Sequence, residues 1–245
     1  MPSLKCWGLL AVVALLSVPG IIRAEDGNPL AAAALTSAQV VSAMEHHNQT
    51  RTENLKHYRA VRHYEVGYKG FGANMDAKME VEVQFDAPSE KNFRIVSQSG
   101  SKLLIDKVLK RLLDTEQQAQ GDQKATALTS ANYKFEMAGT EALGGRPAYV
   151  LNVAPLTDNK LLYRGRIWVD AADFAVVKID AEPAKNPSFW IAKTEIHHTY
   201  AKTGEFWLPE QNRSESKIRV GGKAVLTIDY GTYQIGPQAV QAAGN

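Results

Sequence analysis

From Met75 to Phe85 every second residue is apolar: Met75, Ala77, Met79, Val81, Val83 and Phe85 alternate with Asp76, Lys78, Glu80, Glu82 and Gln84. Successive side chains of a strand point to opposite faces, so this segment predicts a strand with one face buried and one wet. The same period of two runs through Tyr58, Ala60, Tyr64, Val66 and Tyr68 and reopens at Phe93 and Ile95, beyond the turn at Pro88 and Ser89. From Tyr133 onward nearly everything reads as short strands. Tyr133, Phe135 and Met137 alternate, the chain turns at Leu143-Gly144-Gly145-Arg146-Pro147, and Tyr149, Leu151 and Val153 alternate up to Pro155. Ile167 and Val169 begin a hairpin that bends at Asp170 to Asp173 and returns through Val176, Val177 and Ile179. A long strand from Trp190 to Tyr200 turns at Thr203-Gly204 toward Phe206 and Leu208. A last hairpin bends at Gly221-Gly222 and returns through Val225 to Ile235.

Two segments change period. Thr36 and Ser37 are capping residues, and Val40, Val41, Met44 and Leu55 fall on roughly one face, which predicts a helix from Ser37 to about Asn54. Leu104, Ile105, Val108, Leu109, Leu112 and Leu113 recur at helical spacing with Lys102, Lys107, Lys110 and Arg111 between them, which predicts a second helix from Ser101 to Gln118. The fold class that follows is mainly β with helices (α+β): one strongly curved antiparallel sheet, with the helices covering its concave face.

The first residues obey neither period. Lys5 precedes an apolar run from Trp7 to Val18; Pro19 and Gly20 break it, and Ala24 offers a small residue before Glu25. That order is a secretory signal, and the run is too short to cross a bilayer comfortably. The expected organisation is a signal peptide over 1–24, a single domain over 25–237 and a flexible tail over 238–245, with the product exported to the periplasm. Cys6, the only cysteine, lies within the signal, so no disulfide or cysteine nucleophile is expected in the exported chain.

Charge adds little about partners. The chain has 28 Lys plus Arg and 26 Asp plus Glu; Lys5 and Arg23 fall in the signal, which has no acid, so 26 of each sign remain. No basic stripe with interleaved aromatics points to nucleic acid. No phosphate loop, nucleophile elbow or metal-cysteine motif appears. His46 and His47 are neighbours on a helix and His197 and His198 neighbours on a strand, so neither pair can readily share an ion. Glu80 and Glu82 share a face, but it is the solvated face of the clearest strand. The chain is therefore expected to be neither an enzyme nor a holder of metal or cofactor. The aromatic residues, Trp168, Trp190 and Trp207 among them, serve either as core or as walls of an apolar pocket. Composition favours core, whereas a curved sheet of many strands leaves interior volume to fill.

Several segments together resemble the periplasmic lipoprotein-sorting carriers of the LolA/LolB type. Gly139-Thr140-Glu141, Gly145-Arg146 and Tyr149-Val150-Leu151 leading to Pro155 are similar to one family hairpin. Ile167-Trp168-Val169-Asp170 with Val176-Val177-Lys178 is similar to another, and Gly204, Trp207, Leu208 and Pro209 to a later turn. The likeness is densest from Tyr133 to Ile235. It departs in the long leucine-rich helix and in total length, and no residue is matched to the family's functional arginine. The resemblance implies an open, incomplete β-barrel whose helical lid covers an apolar cavity sheltering acyl chains. The expected partners are lipid or lipoprotein acyl chains and a membrane donor or acceptor protein, with the chain itself a monomer. A same-fold domain with a filled core, recognising a protein or sensing envelope stress, is the alternative. Strand parity assigns the cavity to Val81, Val83, Phe85, Tyr149, Leu151, Val153, Ile167, Val169, Ile196, Leu226 and Ile228, with Leu104, Val108 and Leu112 in the lid. The exported protein is expected to begin at Glu25; intact mass checks this, and a mature form retaining Cys6 would contradict it.

Overall fold

Thr36 opens the first helix with a reciprocal cap. Its hydroxyl accepts from the Gln39 N–H at 3.3 Å, and the Gln39 side chain accepts from the Thr36 N–H at 2.9 Å, which satisfies two donors that the first turn would otherwise leave bare. In this computed structural model the described residues are 35–236, except 71, 89, 120–122 and 187. The expected signal and tail lie outside the described residues. Helix α1 spans Ser37–Asn54, and only Val40, Val41 and Met44 of it are buried.

Eleven strands follow: β1 (His57–Gly70), β2 (Ala73–Asp86), β3 (Glu90–Gly100), β4 (Tyr133–Leu143), β5 (Arg146–Pro155), β6 (Tyr163–Asp170), β7 (Val176–Pro183), β8 (Ile191–Thr203), β9 (Phe206–Ile218), β10 (Lys223–Asp229) and β11 (Gln234–Ile235). They form one antiparallel sheet in the order β3-β2-β1-β10-β9-β8-β7-β6-β5-β4, with β11 added to β1. β3 and β4 remain as its two edges, so the sheet is open and curved rather than a closed barrel, in keeping with the expected incomplete barrel. Register shifts at Glu80/Val81, Met137/Gly139, Trp168/Val169, Ile191/Lys193 and Thr199/Tyr200 each insert a bend, which is how so long a sheet curls. At Gly165 the neighbouring strand passes so close that a Cβ would run into the Asp180 carbonyl oxygen and the Ala181 backbone.

The second helical region falls where the leucines predict it, but it is not one regular helix. Lys102–Leu104 (α2) runs into a wide turn, Ile105–Leu109, in which the Lys110 N–H reaches back five residues to the Ile105 carbonyl; α3 (Lys110–Ala119) and a short α4 (Gln123–Thr126) follow. The wide turn shifts the helical phase. Leu104, Ile105, Leu109 and Leu113 become the buried row, and Val108 and Leu112 pack half-buried beside them.

Two separate apolar clusters line the inner face. α2 to α3 cover one, built on Tyr58, Ala60, Tyr64, Val66, Ala77, Met79, Val81 and Val83. α1 covers the other, where Val40, Val41 and Met44 meet Leu151, Val153, Ile167, Val169 and Ile179. Between them the inner face of β8 and β9 turns polar. Directly paired residues share a face, and His198 pairs with buried Ile179 and with Asn212, Ile196 with Ala181 and Ser214. Thr194 and Ser216 complete this row with a 2.9 Å hydroxyl contact. A third, small cluster of Ala148, Val150 and Trp168 has the opposite parity on β5 and β6.

Leu109 is fully buried in the first cluster, so Leu109→Ala is expected to lower stability by about 2–5 kcal/mol. Val108→Ala, half-exposed one residue away, should cost clearly less. Urea unfolding of both variants checks the phase set by the wide turn; the opposite ranking would contradict it.

Candidate functional site

The inner face brings the sequence-assigned residues together as two groups. Val81, Val83, Phe85, Leu104, Val108, Leu112, Leu226 and Ile228 belong to the cluster under α2 to α3. Tyr149, Leu151, Val153, Ile167 and Val169 belong to the cluster under α1. Ile196 lies on the polar stretch between them, half-buried and in neither cluster. Most of these side chains are closely packed. Phe85 is the one of the fourteen that also lines the recess described next.

That recess, of about 380 Å³, opens where the C-terminal end of α1, the α3 helix and the inner face of β1, β8 and β9 meet. Tyr58, Phe85, Tyr200, Tyr230 and Tyr233 supply aromatic walls, and Leu55 and Leu208 aliphatic ones. Tyr58 stacks on Phe85 at 5.2 Å and meets Tyr233 edge-on at 5.3 Å, which fixes three of the rings. Tyr233 is held further by donating to the Pro209 carbonyl at 2.9 Å. A second hollow, of about 260 Å³, shares Arg51, Thr52 and Tyr200 with the first and continues past His47 toward Tyr163 and Ile179.

Arg62 sits in the inward row of β1 between Ala60 and Tyr64, and only 2% of it is exposed. Its Nη1 donates to both Glu116 carboxylate oxygens, at 2.9 and 3.1 Å, and to the Tyr64 hydroxyl at 3.4 Å. Lys91 Nζ donates to the same carboxylate at 2.9 Å. The guanidinium lies 4.7 Å from the centre of the Tyr230 ring. Burial works against both charges of this pair. The Arg62 and Lys91 cations nevertheless hold Glu116 below the usual carboxylate range, and Glu116 with the facing tyrosines holds Arg62 above its ordinary value. Burial also pushes Tyr230 and Tyr233 well up, so both stay neutral. Arg62 Nε is buried with no hydrogen-bond partner among the described residues, and so is His198 Nε2. His198 is stacked on Tyr200 at 4.6 Å and on Tyr230 at 5.7 Å. Burial, and then the Arg62 charge, bring its pKa down to about 4, so the ring is neutral at pH 7.

Arg62 and His198 carry the polar character of the recess, and both escaped the sequence reading. The signal was present for Arg62: it has the same parity as Tyr58, Ala60, Tyr64 and Val66, where a cation needs a reason to be. For His198 the strand period says only that it faces away from its neighbour His197. That is so, since His197 pairs with Asp180 at 2.8 Å on the other face. Among the described residues no group of three or more His, Cys, Asp or Glu side chains could hold a metal. The motif residues Arg146, Asp170 and Trp207 meet at the β6–β7 turn instead. Arg146 pairs with Asp170 through two bonds, Asp170 caps the Ala172 and Asp173 N–H groups, and Trp207 donates to Asp173 at 2.8 Å. This network pins the turn in which Phe174 takes a positive φ of 54°. Its work is structural.

No protein-family model matches the chain, and no curated protein matches it. Among solved structures it is similar to a DUF1329 family protein from Desulfovibrio piger, at 14% identity and a TM-score of 0.41, over 83% of this chain and 95% of that one. It is also similar to a LolA superfamily protein from Nitrosomonas europaea, at 10% identity and a TM-score of 0.36, over 84% and 96%. An outer-membrane lipoprotein-sorting protein domain from Vibrio parahaemolyticus matches at 11% identity and a TM-score of 0.37, over 84% and 93%. Likeness at this level carries no argument about function, which rests on the geometry above.

The buried, neutral His198 has a pH signature. Its pKa is about 4 in the fold against an ordinary 6.5, so between these values the unfolded chain binds a proton that the fold refuses. Its contribution is full above about pH 6.5 and is lost as pH falls toward 4. His198→Phe keeps the ring stack and removes the titration. Its melting temperature is expected to fall less than that of the natural protein between those pH values; equal falls would contradict the assignment.

Proposed function

We propose that the protein is an exported carrier, cut after Ala24, that binds an acyl chain of a lipid or lipoprotein between the concave face of its sheet and its helices. The observation that carries this reading is the recess at the helix junction. Five aromatic rings and two leucines face an unfilled volume of about 380 Å³, which lies in the range of small-molecule sites. Packing usually closes such space, so a sheet and helices that keep it open argue for an occupant. Phe85 belongs both to the recess and to the cluster under α2 to α3, so a longer chain that parts this packing would meet Val81, Val83, Leu226 and Ile228, with Leu104, Val108 and Leu112 on the lid; we place Tyr149, Leu151, Val153, Ile167, Val169 and Ile196 further along the same path. Each buried CH₂ contributes about 0.8 kcal/mol, so even part of a chain gives useful affinity. The carrier reading needs no catalytic group and no metal. For a lipoprotein cargo the role we assign is sorting to the outer membrane through the periplasm, between a membrane donor and an acceptor, with the chain acting as a monomer.

Extraction of the purified mature protein followed by lipid mass spectrometry is expected to find a co-purifying acyl lipid. A fluorescent fatty-acyl probe should bind the natural protein and Lys102→Glu, which alters an exposed residue of α2. It should bind folded Phe85→Glu at least about tenfold more weakly, a loss of roughly 1.4 kcal/mol. A protein free of lipid that ignores the probe would favour the alternative, protein recognition by a filled core.

A further inference from the structure

We propose that the recess seats the ionised carboxylate of a single-chain fatty acid on Arg62, with Lys91 and Arg51 as flanking cations. The proposal rests on the carrier reading in its lipid form, since the chains of a lipoprotein end in esters and amides and offer no free carboxylate, and it specifies that ligand. Three observations converge on it.

The first is charge. The charged groups lining the recess are Arg51, Arg62, Lys91 and Glu116, three cations against a single carboxylate. Burial keeps Tyr200, Tyr230 and Tyr233 beside them neutral. An excess of positive charge in a largely apolar, partly dry site attracts an anion far more strongly than the same charges would in open water. An acyl chain ending in an alcohol or an ester brings no charge to set against that excess.

The second is an unused donor. Glu116 occupies Nη1 of Arg62, and Nε of the same guanidinium is buried without a partner. A buried donor on a charged group left unsatisfied is costly, and native folds rarely tolerate one without a reason. The side edge of a guanidinium offers parallel donors that match the two oxygens of a planar carboxylate; Nε itself has no open surface, so the Arg62 side chain must turn toward the recess to present that edge. Glu116 already shows that a carboxylate is stable against this group at about 3 Å.

The third is shape. A volume of about 380 Å³ stands at the low end of ligand sites, which suits one chain rather than the several of a diacyl or triacyl lipid. Tyr58, Phe85, Tyr233, Leu55 and Leu208 give the first carbons an apolar sleeve immediately beside the cations.

The test compares dodecanoic acid, dodecanol and dodecyl phosphate by titration calorimetry on the full mature protein. The acid is expected to bind at least about tenfold more tightly than the alcohol, and Lys91→Met and Arg51→Met each to narrow that ratio. Arg62→Gln alone would strand Glu116, so Arg62→Gln is combined with Glu116→Gln, and retained folding is checked by thermal melting. In this pair the preference for the acid should vanish while dodecanol binding persists. Equal binding of acid and alcohol to the natural protein overturns the proposal and leaves the carrier reading standing. So does a tightest complex with the alkyl phosphate, or an acid preference that survives in the folded double variant. Failure of all three ligands to bind overturns both.

Discussion

Removing a guanidinium from water costs several kcal/mol even after a protein relaxes around it, and Arg62 is almost wholly removed. The group that answers this charge comes from far along the chain. Glu116 belongs to α3, and its carboxylate is shared between Arg62 on β1 and Lys91 on β3. The ion pair therefore fixes the helix over one end of the sheet, and it does so at one place. Hydrophobic contacts under α2 to α3 are many and non-directional; the pair gives them a register. Losing one partner of such a pair typically costs about 3–5 kcal/mol, more than the pair contributes over an apolar replacement, because the survivor is left buried and alone. A charged residue at this position is thus a demanding choice for stability, which is a reason to look for its use elsewhere.

The same constraint explains where empty space lies. Apolar side chains pack the inner face wherever strand parity supplies them, and they do so in two clusters under two separate helices. The strands between those clusters present Thr194, His198, Asn212, Ser214 and Ser216 inward. Short polar side chains cannot fill the volume that leucines fill, and they need partners that a dry core does not provide. Of these residues His198 lines the recess, whose aromatic walls reach in from β1, β2, β8 and the segment after β10.

How much of this was legible in the sequence depends on how local the cause is. The alternation of Met75 to Phe85 and the turn at Gly144-Gly145 predict β2 and the β4–β5 hairpin, because the period of a strand is a property of neighbouring residues. Thr36 and Gln39 mark the start of α1 for the same reason. The leucines of 104–113 predict a helix and its buried side, but not the wide turn at Ile105–Leu109, since packing against Met79 and Val83 decides that phase. The inward row of β1 was read correctly and still incompletely: Arg62 has the right parity and the wrong chemistry, and its partner is 54 residues away. Some interior volume was to be expected of so curved a sheet, but its place could not be read. It belongs to the place where the end of α1 and the α3 helix come to one recess, and no local pattern encodes that meeting.

The relative size of tail and head contributions bears on what a carrier with this site can do. At about 0.8 kcal/mol for each buried CH₂, half a dozen carbons supply roughly 5 kcal/mol, so the aromatic sleeve sets most of the affinity and would do so for any chain of that length. A carboxylate on a guanidinium in a screened, partly buried site adds a charge-assisted hydrogen bond worth about 1.5–3 kcal/mol, less whatever the head loses in leaving water. That is too little to bind a ligand by itself, but it separates an acid from an alcohol by a factor of ten or more, since 1.4 kcal/mol is tenfold. The division of labour follows from distance dependence: burial of the tail is nonspecific and additive, whereas the head must reach one edge of one side chain. An apolar recess without Arg62 would hold chains indiscriminately. With Arg62, orientation is imposed as well as choice, because only one end of the chain can meet the cation while the other extends along Phe85 toward the inner face of the sheet.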